Sequence, residues 1–172
     1  ILPDEEGNID YKDVPYEFLH KAFARITKAK EQTFLVLTKR PERMSEYINY
    51  SMYDENISDD GWYEALREIG IPDECPPENV YYGTTVPNQQ AADEAIPYLL
   101  QVPGKKFLSV EPMLGPIDFS KIVITVGHGD VRPWCDIDWV VIGCESGPKR
   151  RPMDIEWARD VVRQCKEAGG PV

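Results

Sequence analysis

The sequence has few cysteines and histidines, the residues that bind zinc and iron–sulfur clusters. It has four cysteines and two histidines, and no two cysteines lie in a C-x-x-C or C-x-x-x-C spacing. Zinc sites and iron–sulfur clusters use closely spaced thiolates, so the chain carries no self-contained motif for either. An H-x-x-x-H motif is also missing, which disfavours a metal held by histidine. The four cysteines are Cys75, Cys135, Cys144 and Cys165. Their isolated positions are typical of free thiols in an intracellular protein, although the four could also pair as two disulfides.

Positive charge and long apolar runs are scarce as well. The 172 residues carry a net charge of -11, and such a field weighs against direct binding of duplex nucleic acid. No apolar run is long enough to cross a bilayer and no secretory signal is present, so we expect a cytoplasmic protein without a membrane partner. Phosphate-binding glycine motifs are absent too, which excludes the common nucleotide-binding loops.

What the chain does have is a regular alternation of helical and strand patterns. Short runs rich in apolar residues predict strands at 33–38, 79–86, 105–112 and 138–144. The continuous apolar run 33–38 is predicted to be a strand buried on both faces. Amphipathic stretches predict helices, at 13–30, from Pro41, around 62–69, from Asn88 and from Asp154 to Gly169. Repeated β-α units predict an α/β fold with a parallel sheet, which an open doubly wound sheet and a partial (β/α) barrel both satisfy.

Three stretches are less regular. Pro97 is expected to kink or end the helix that starts at Asn88, and the polar residues 49–60 are expected to be loose. Within 118–137, KIVITV predicts a strand and GHGDVRP predicts an exposed loop. Because the last helix ends just before the chain does and no strand precedes the first helix, we interpret 1–172 as one α/β domain that is a fragment of a longer protein.

Polar residues follow the predicted strands at the point where each one ends. Since ligands of parallel α/β folds bind beyond the carboxyl ends of the strands, these side chains predict a shared hollow. A lysine or arginine there would bind a carboxylate or phosphate, and a carboxylate would accept ribose hydroxyls or an amino group. The strand-end residues are Thr38, Lys39 and Arg40, then Thr84, Thr85 and Asn88, then Ser109 and Glu111, and finally Glu145 and Ser146.

A structural interpretation of the same residues stays open. Glu111 and Glu145 would then form ion pairs with Lys39, Arg40 or Arg150 that lock neighbouring loops. The basic run 149–151 is either a solvated loop or a phosphate contact. Cys144 has no base beside it and is expected to be a small buried residue, while His20 and His128 are expected to be solvated.

Four stretches together resemble a phage-associated, radical-SAM-like protein family of unknown function. They occur in the family's order and cover the chain from about Val14 to its end. In that family a second glycine usually precedes the ESG turn, where this chain has Cys144. The stretches are TFLVLTKRPERM (33–44), NVYYGTTVPNQQAADEAIPYLL (79–100), KKFLSVEPMLGPID (105–118) and DWVVIGCESGPKRRPMDIEWARDVVRQC (138–165).

The resemblance implies a partial (β/α) barrel of radical-SAM type. S-adenosylmethionine and a [4Fe–4S] cluster are the cofactors expected for the full-length family, but the cluster ligands belong to an N-terminal strand that this chain lacks. The present residues would then line the cofactor and substrate cavity, and the substrate would be a small molecule or nucleotide. The resemblance and the strand-end positions together nominate Thr38, Lys39, Arg40, Thr84, Glu111, Glu145 and Ser146 as cofactor-binding residues.

Three functions remain open from the sequence. The first is the C-terminal part of a radical S-adenosylmethionine enzyme, in which the cofactor supplies the radical chemistry. The second is a non-catalytic α/β module that binds a nucleotide or a partner, which fits the missing cysteine motif. The third and weakest is a hydrolase or transferase that uses Glu111 and Glu145 as acid and base.

Overall fold

The computed structural model describes residues 14–53, 60–70, 77–122, 124–126, 130–132 and 134–169. Within these residues the α-helices are Tyr16–Lys28 (α1), Pro41–Tyr53 (α2), Asp60–Glu68 (α3), Gln89–Leu99 (α4) and Ile155–Glu167 (α5). The strands are Phe34–Thr38 (β1), Val80–Thr85 (β2), Lys105–Val110 (β3), Ile124–Val126 (β4), Asp130–Arg132 (β5) and Trp139–Ile142 (β6). None of the described helices has the length and apolar content needed to cross a membrane.

Four of the strands form one parallel sheet in the order β1-β2-β3-β6. The parallel α/β architecture predicted from the sequence is therefore confirmed. The register pairs Thr38 with Thr84, and Thr85 with Ser109, so the carboxyl ends of neighbouring strands lie side by side. Strands β4 and β5 form a separate antiparallel pair.

One face of the sheet carries the helices and most of the core. Tyr82 and Leu108 are fully buried there, and the ring of Tyr82 lies 6.2 Å from that of Phe23 on α1. Side chains of every α-helix join this core, which is what their amphipathic sequences require. Asn88 caps α4 by accepting a hydrogen bond from the Ala91 amide at 3.0 Å, as its sequence position predicts.

The opposite face of the sheet is apolar and partly open to solvent. Leu35 and Leu37 on β1 are 48% and 51% exposed, so the prediction that this strand is buried on both faces was wrong, because the described helices pack on the other face. Trp139 on β6 is 37% exposed. Leu37, Gly83, Phe107 and Trp139 are register neighbours across the four strands, and the rings of Phe107 and Trp139 lie 6.3 Å apart. We call this surface the open face.

The segment after β3 crosses the helical side of the sheet and is fastened to α5. The Gln164 side chain donates to the Ile117 carbonyl at 2.8 Å and accepts from the Phe119 amide at 2.8 Å. Phe119 is fully buried, and its ring stacks on Trp134 at 4.8 Å. The backbone that follows β3 is thereby held near the carboxyl edge of the sheet.

Several local predictions were wrong. The chain from Asn49 to Tyr53 is helical because α2 continues through it, and Asn49 bonds to the Ser45 carbonyl at 2.9 Å. Helix α4 continues through Pro97 but ends two residues later, at Leu99, so its end was predicted two residues too early. The kink expected at Pro97 stays a prediction. His20 is only 3% exposed and packs beside Tyr47.

Other predictions were right in part. Helix α1 begins at Tyr16 with Pro15 at its N-cap position, whereas the predicted cap Asp13 lies outside the described residues. KIVITV contains strand β4, but part of the expected loop after it pairs with β4 as β5. His128 and residues 54–59 also lie outside the described part of the chain.

Candidate functional site

An open cleft with a volume of about 420 Å³ lies at the carboxyl edge of the sheet. The ends of β1 and β2, the first turn of α2, helix α4 and the loop after β3 form its walls. Its polar lining comes from Lys39, Glu42, Thr84, Thr85, Glu94 and Arg151. The cleft therefore combines two cations, two carboxylates and two hydroxyls at the place where parallel α/β folds bind ligands.

Local backbone geometry places Lys39 at the rim. The Thr38 hydroxyl accepts a hydrogen bond from the Arg40 amide at 3.0 Å, and Pro41 then starts α2. The buried Thr84 hydroxyl donates to the Thr38 carbonyl at 3.0 Å. These bonds tie the ends of β1 and β2 together, with Lys39 in the turn between strand and helix.

The loop after β3 closes another side of the cleft. Its Leu114 amide donates to the Pro87 carbonyl at 2.8 Å, and its Met113 amide donates to the Gly143 carbonyl at 2.8 Å. These two bonds connect the ends of β2 and β6 through one loop. Leu114 itself lines the cleft and gives it an apolar wall.

Arg151 is held in the cleft by Glu145. The guanidinium donates from Nε to Glu145 Oε2 at 2.9 Å and from Nη2 to Oε1 at 2.7 Å. The backbone amide of Arg151 donates to Oε2 as well, at 2.7 Å. This bidentate ion pair fixes the planar guanidinium in one orientation, which a single contact would not do.

Arg151 also lowers the pKa of Glu145. Hydrogen bonds from the Arg151 side chain and backbone favour the carboxylate and bring its pKa from 4.5 to about 2. Because the folded-state pKa lies below the unfolded value, the pair's stabilising contribution is complete above about pH 4.5 and is lost as the pH falls through about 2.

We expect the Glu145 carboxyl carbon to titrate with a midpoint near pH 2. Site-resolved NMR of the carboxyl carbons between pH 7 and the acid limit of the fold measures it. In the Arg151→Gln variant the midpoint should move back towards the ordinary range, because the donors are gone. A wild-type midpoint near 4.5 would show that the pair does not persist in solution.

The other nominated residues do not meet in this cleft. Thr38 and Arg40 line a second, more apolar cleft of about 240 Å³ beside α1 and α2. Glu111 is exposed and lies against Gly143, where an added Cβ would be 2.7 Å from its carboxyl carbon. Ser146 is exposed in the turn that follows Glu145. The structure thus brings Lys39 and Thr84 together, with Glu145 joined to them through Arg151.

Arg151 is the residue that sequence reasoning did not separate from its neighbours. The run 149–151 offers three cations, and the sequence gives no reason to prefer one of them. Lys39, Arg40 and Arg150 were the expected partners of the two glutamates, but Glu145 pairs with Arg151. The chain turns between the two residues at Gly147, with φ +102. The only feature of the sequence that could have indicated this pair is the six-residue separation of Glu145 and Arg151 across a glycine–proline turn.

The described residues do not fit an iron–sulfur cluster. They contain no group of three or more cysteine, histidine or acidic side chains that could hold a metal ion. Cys144 is exposed, which corrects the prediction that it is buried, and Cys165 is buried on α5. Burial raises the pKa of the Cys165 thiol to about 11, so it stays protonated at neutral pH and is a poor thiolate ligand.

The chain belongs to a family of proteins of unknown function, DUF5131, whose family model matches residues 7–172. No curated protein and no solved structure shows significant similarity to it. The family description assigns no activity, so a function has to be argued from the cleft and the sheet.

Proposed function

We propose that this member of the DUF5131 family is a sector of a (β/α) barrel that binds S-adenosylmethionine at the carboxyl edge of its sheet, as part of a radical S-adenosylmethionine enzyme. The observation that carries the proposal is the cleft beyond β1 and β2, lined by Lys39, Thr84, Thr85 and Arg151. The resemblance of the four sequence stretches to radical-SAM-like proteins supplies the identity of the ligand.

The sheet supports the barrel part of the proposal. Four parallel strands follow one another in chain order, which is the order of neighbours around a (β/α) barrel. All five described α-helices contribute to the core on one face, whereas the other face exposes Leu35, Leu37 and Trp139. An apolar sheet face without helices is what the inward surface of a barrel sector would look like.

The lining of the cleft supports a ligand with mixed charge. A volume of about 420 Å³ falls in the range of small-molecule sites. S-adenosylmethionine has a carboxylate for Lys39 or Arg151, an amino group for Glu42 or Glu94, and ribose hydroxyls for the threonines. Each of these pairings is a charge-assisted or neutral hydrogen bond of ordinary chemistry.

In this proposal the chain's own share is binding and orientation. Its described residues offer no cluster site, so the ligands of a [4Fe–4S] cluster would have to come from outside them. When bound, such a cluster would supply the electron for radical chemistry. The cleft residues would hold the methionine carboxylate and the ribose in place.

Calorimetric titration of the chain with S-adenosylmethionine tests the proposal. We expect saturable one-to-one binding that the Lys39→Gln variant weakens about 10-fold, since a charged hydrogen bond is worth about 1.5–3 kcal/mol. Lys149→Gln is the matched control, because Lys149 is an exposed lysine outside the cleft lining. Absence of binding at millimolar ligand, or equal loss in both variants, would refute the proposal.

A second function, a nucleotide-binding module without radical chemistry, is favoured by two observations. The cleft carries two cations in a chain of net charge -11, and the described residues lack a cluster site. In that case AMP should bind more tightly than S-adenosylmethionine in the same titration. Short duplex DNA in a third titration tests whether the partner is a nucleic acid, which the net charge disfavours.

The hydrolase alternative has little support from the geometry. Glu145 would have to act as an acid or base, but its pKa is lowered to about 2 by Arg151, which makes it a poor proton carrier near neutral pH. Glu111 lies against Gly143 and does not line the cleft formed by Lys39 and Thr84.

A further inference from the structure

We propose that the cleft recognises an anionic group of its ligand, a carboxylate or a phosphate, through Arg151 and Lys39, and that Glu145 is the positioning residue for Arg151. The proposal rests on the proposed ligand cleft, but it names the recognised group and two residues whose roles can be tested without S-adenosylmethionine. Arg151 uses part of its donors on Glu145, and Lys39 makes no hydrogen bond with the described residues.

Arg151 is held in a fixed orientation and keeps N–H donors that Glu145 does not use. Glu145 accepts from Nε and from one Nη2 hydrogen of Arg151, which uses two of the five guanidinium N–H groups. Among the described residues, Nη1 of Arg151 makes no hydrogen bond, and the side chain is 60% exposed. A guanidinium that is held along one edge presents its remaining donors as a ready fork for an oxyanion.

Lys39 offers a second positive charge on the same cleft. Its side chain is exposed, and it forms no ion pair or hydrogen bond with the described residues. It also sits in the turn that leads into α2, where the first helical amides carry partial positive charge. Two cations and the start of a helix therefore line the cleft, where they can bind an anionic group.

The two carboxylates of the cleft also have local roles, as Arg151 does. Glu42 lies in the first turn of α2, where a negative charge stabilises the helix. Glu94 accepts a hydrogen bond at 3.0 Å from Gln90 one turn earlier on α4. Lys39 and the free edge of Arg151 therefore offer donors to an anionic group, while Glu42 and Glu94 remain acceptors for a positively charged part of the same ligand.

The surrounding charge limits how large the anion is. A net charge of -11 repels a polyanion at long range, whereas a single carboxylate or phosphate meets two cations at short range. The cleft also has an apolar wall of Pro87, Pro112 and Leu114, against which the uncharged part of a small ligand can pack. A small molecule with one anionic group therefore suits it better than a nucleic acid strand.

Two pairs of probes test the recognised group. AMP and adenosine differ in a phosphate, and S-adenosylmethionine and its decarboxylated form differ in a carboxylate. For at least one pair we expect the anionic member to bind 10-fold or more tightly to the wild type, as charged hydrogen bonds imply. The pair that discriminates identifies the group as a phosphate or a carboxylate.

Variants assign the discrimination to residues. Arg151→Gln should reduce the affinity ratio of the discriminating pair to about 1–3, and Glu145→Gln should reduce it to an intermediate value because the guanidinium loses its fixed orientation. Arg150→Gln is the matched control and should keep the wild-type ratio. The ratio separates recognition from folding, since a general loss of structure would weaken both members of a pair equally.

The results distinguish this proposal from the proposed function. If phosphate-bearing probes discriminate through Arg151 while S-adenosylmethionine does not bind, the radical-SAM assignment fails and the anion site stands. If S-adenosylmethionine binds as tightly as its decarboxylated form and Arg151→Gln changes nothing, the anion site fails alone. If no probe binds, and inorganic phosphate leaves the Arg151 Nε NMR signal unmoved, both are wrong.

Discussion

Replacing Gly83 by alanine should destabilise the protein by about 1–3 kcal/mol, the usual cost of adding atoms where side chains already pack closely. An added Cβ would lie 2.2 Å from the ring of Phe107, which is buried on the open face between Gly83 and Trp139. The Phe107 ring would have to move to make room for the added Cβ. Urea unfolding of the wild type and the variant measures the difference in the free energy of unfolding.

Two further variants make this test specific. Gly115→Ala is the matched control, because its Cβ would meet Asn88 at an ordinary 3.5 Å. Replacing Phe107 by alanine removes the clash, so a double-mutant cycle of Gly83 and Phe107 should show a coupling energy of at least about 1 kcal/mol. A change in unfolding free energy at Gly83 as small as that at Gly115 would contradict the packing described here.

Truncation of leucine should cost very different amounts on the two faces of the sheet. Leu108→Ala removes a fully buried side chain from the helical core and should cost about 2–5 kcal/mol. Leu37→Ala removes a side chain that is 51% exposed on the open face, and should cost less than about 1 kcal/mol. Both changes delete the same atoms from strands of one sheet, so the difference reports burial alone.

Urea unfolding at two protein concentrations measures both variants. If Leu37→Ala proves as costly as Leu108→Ala and the cost grows with concentration, the open face is covered by another copy of the chain in solution. Equal costs that do not depend on concentration would contradict the exposure of Leu37.

The strands and their parallel order were predictable because their sequences satisfy one simple physical requirement. Strands β2 and β3 are central and read as short apolar runs, since a strand covered by neighbours has little room for charge. The helix N-caps at Asn88 and Asp154 were predictable for the same reason, because each side-chain oxygen accepts a hydrogen bond from an amide only two or three residues ahead. Such features depend on the sequence within one turn or one strand.

What the sequence did not reveal depends on contacts between distant residues. Asn49 extends α2 partly by bonding to the Gln101 carbonyl 52 residues away, and polar composition alone predicted a loose segment. The sequence also did not reveal which strand-end side chains share the cleft. Thr84 and Glu111 both lie at the ends of apolar runs, but Thr84 lines the cleft and Glu111 lies against Gly143. The choice of Arg151 over Arg150 depends on the path of one turn.

The open face also affects how the isolated protein should be studied. Hydrophobic dyes used to follow thermal melting bind exposed apolar surface, and Leu35 and Leu37 offer such surface in the native state. The dye signal would start high and fall on heating, which hides the transition. Circular dichroism, or the intrinsic fluorescence of tryptophan, follows the melting of this fold without that background.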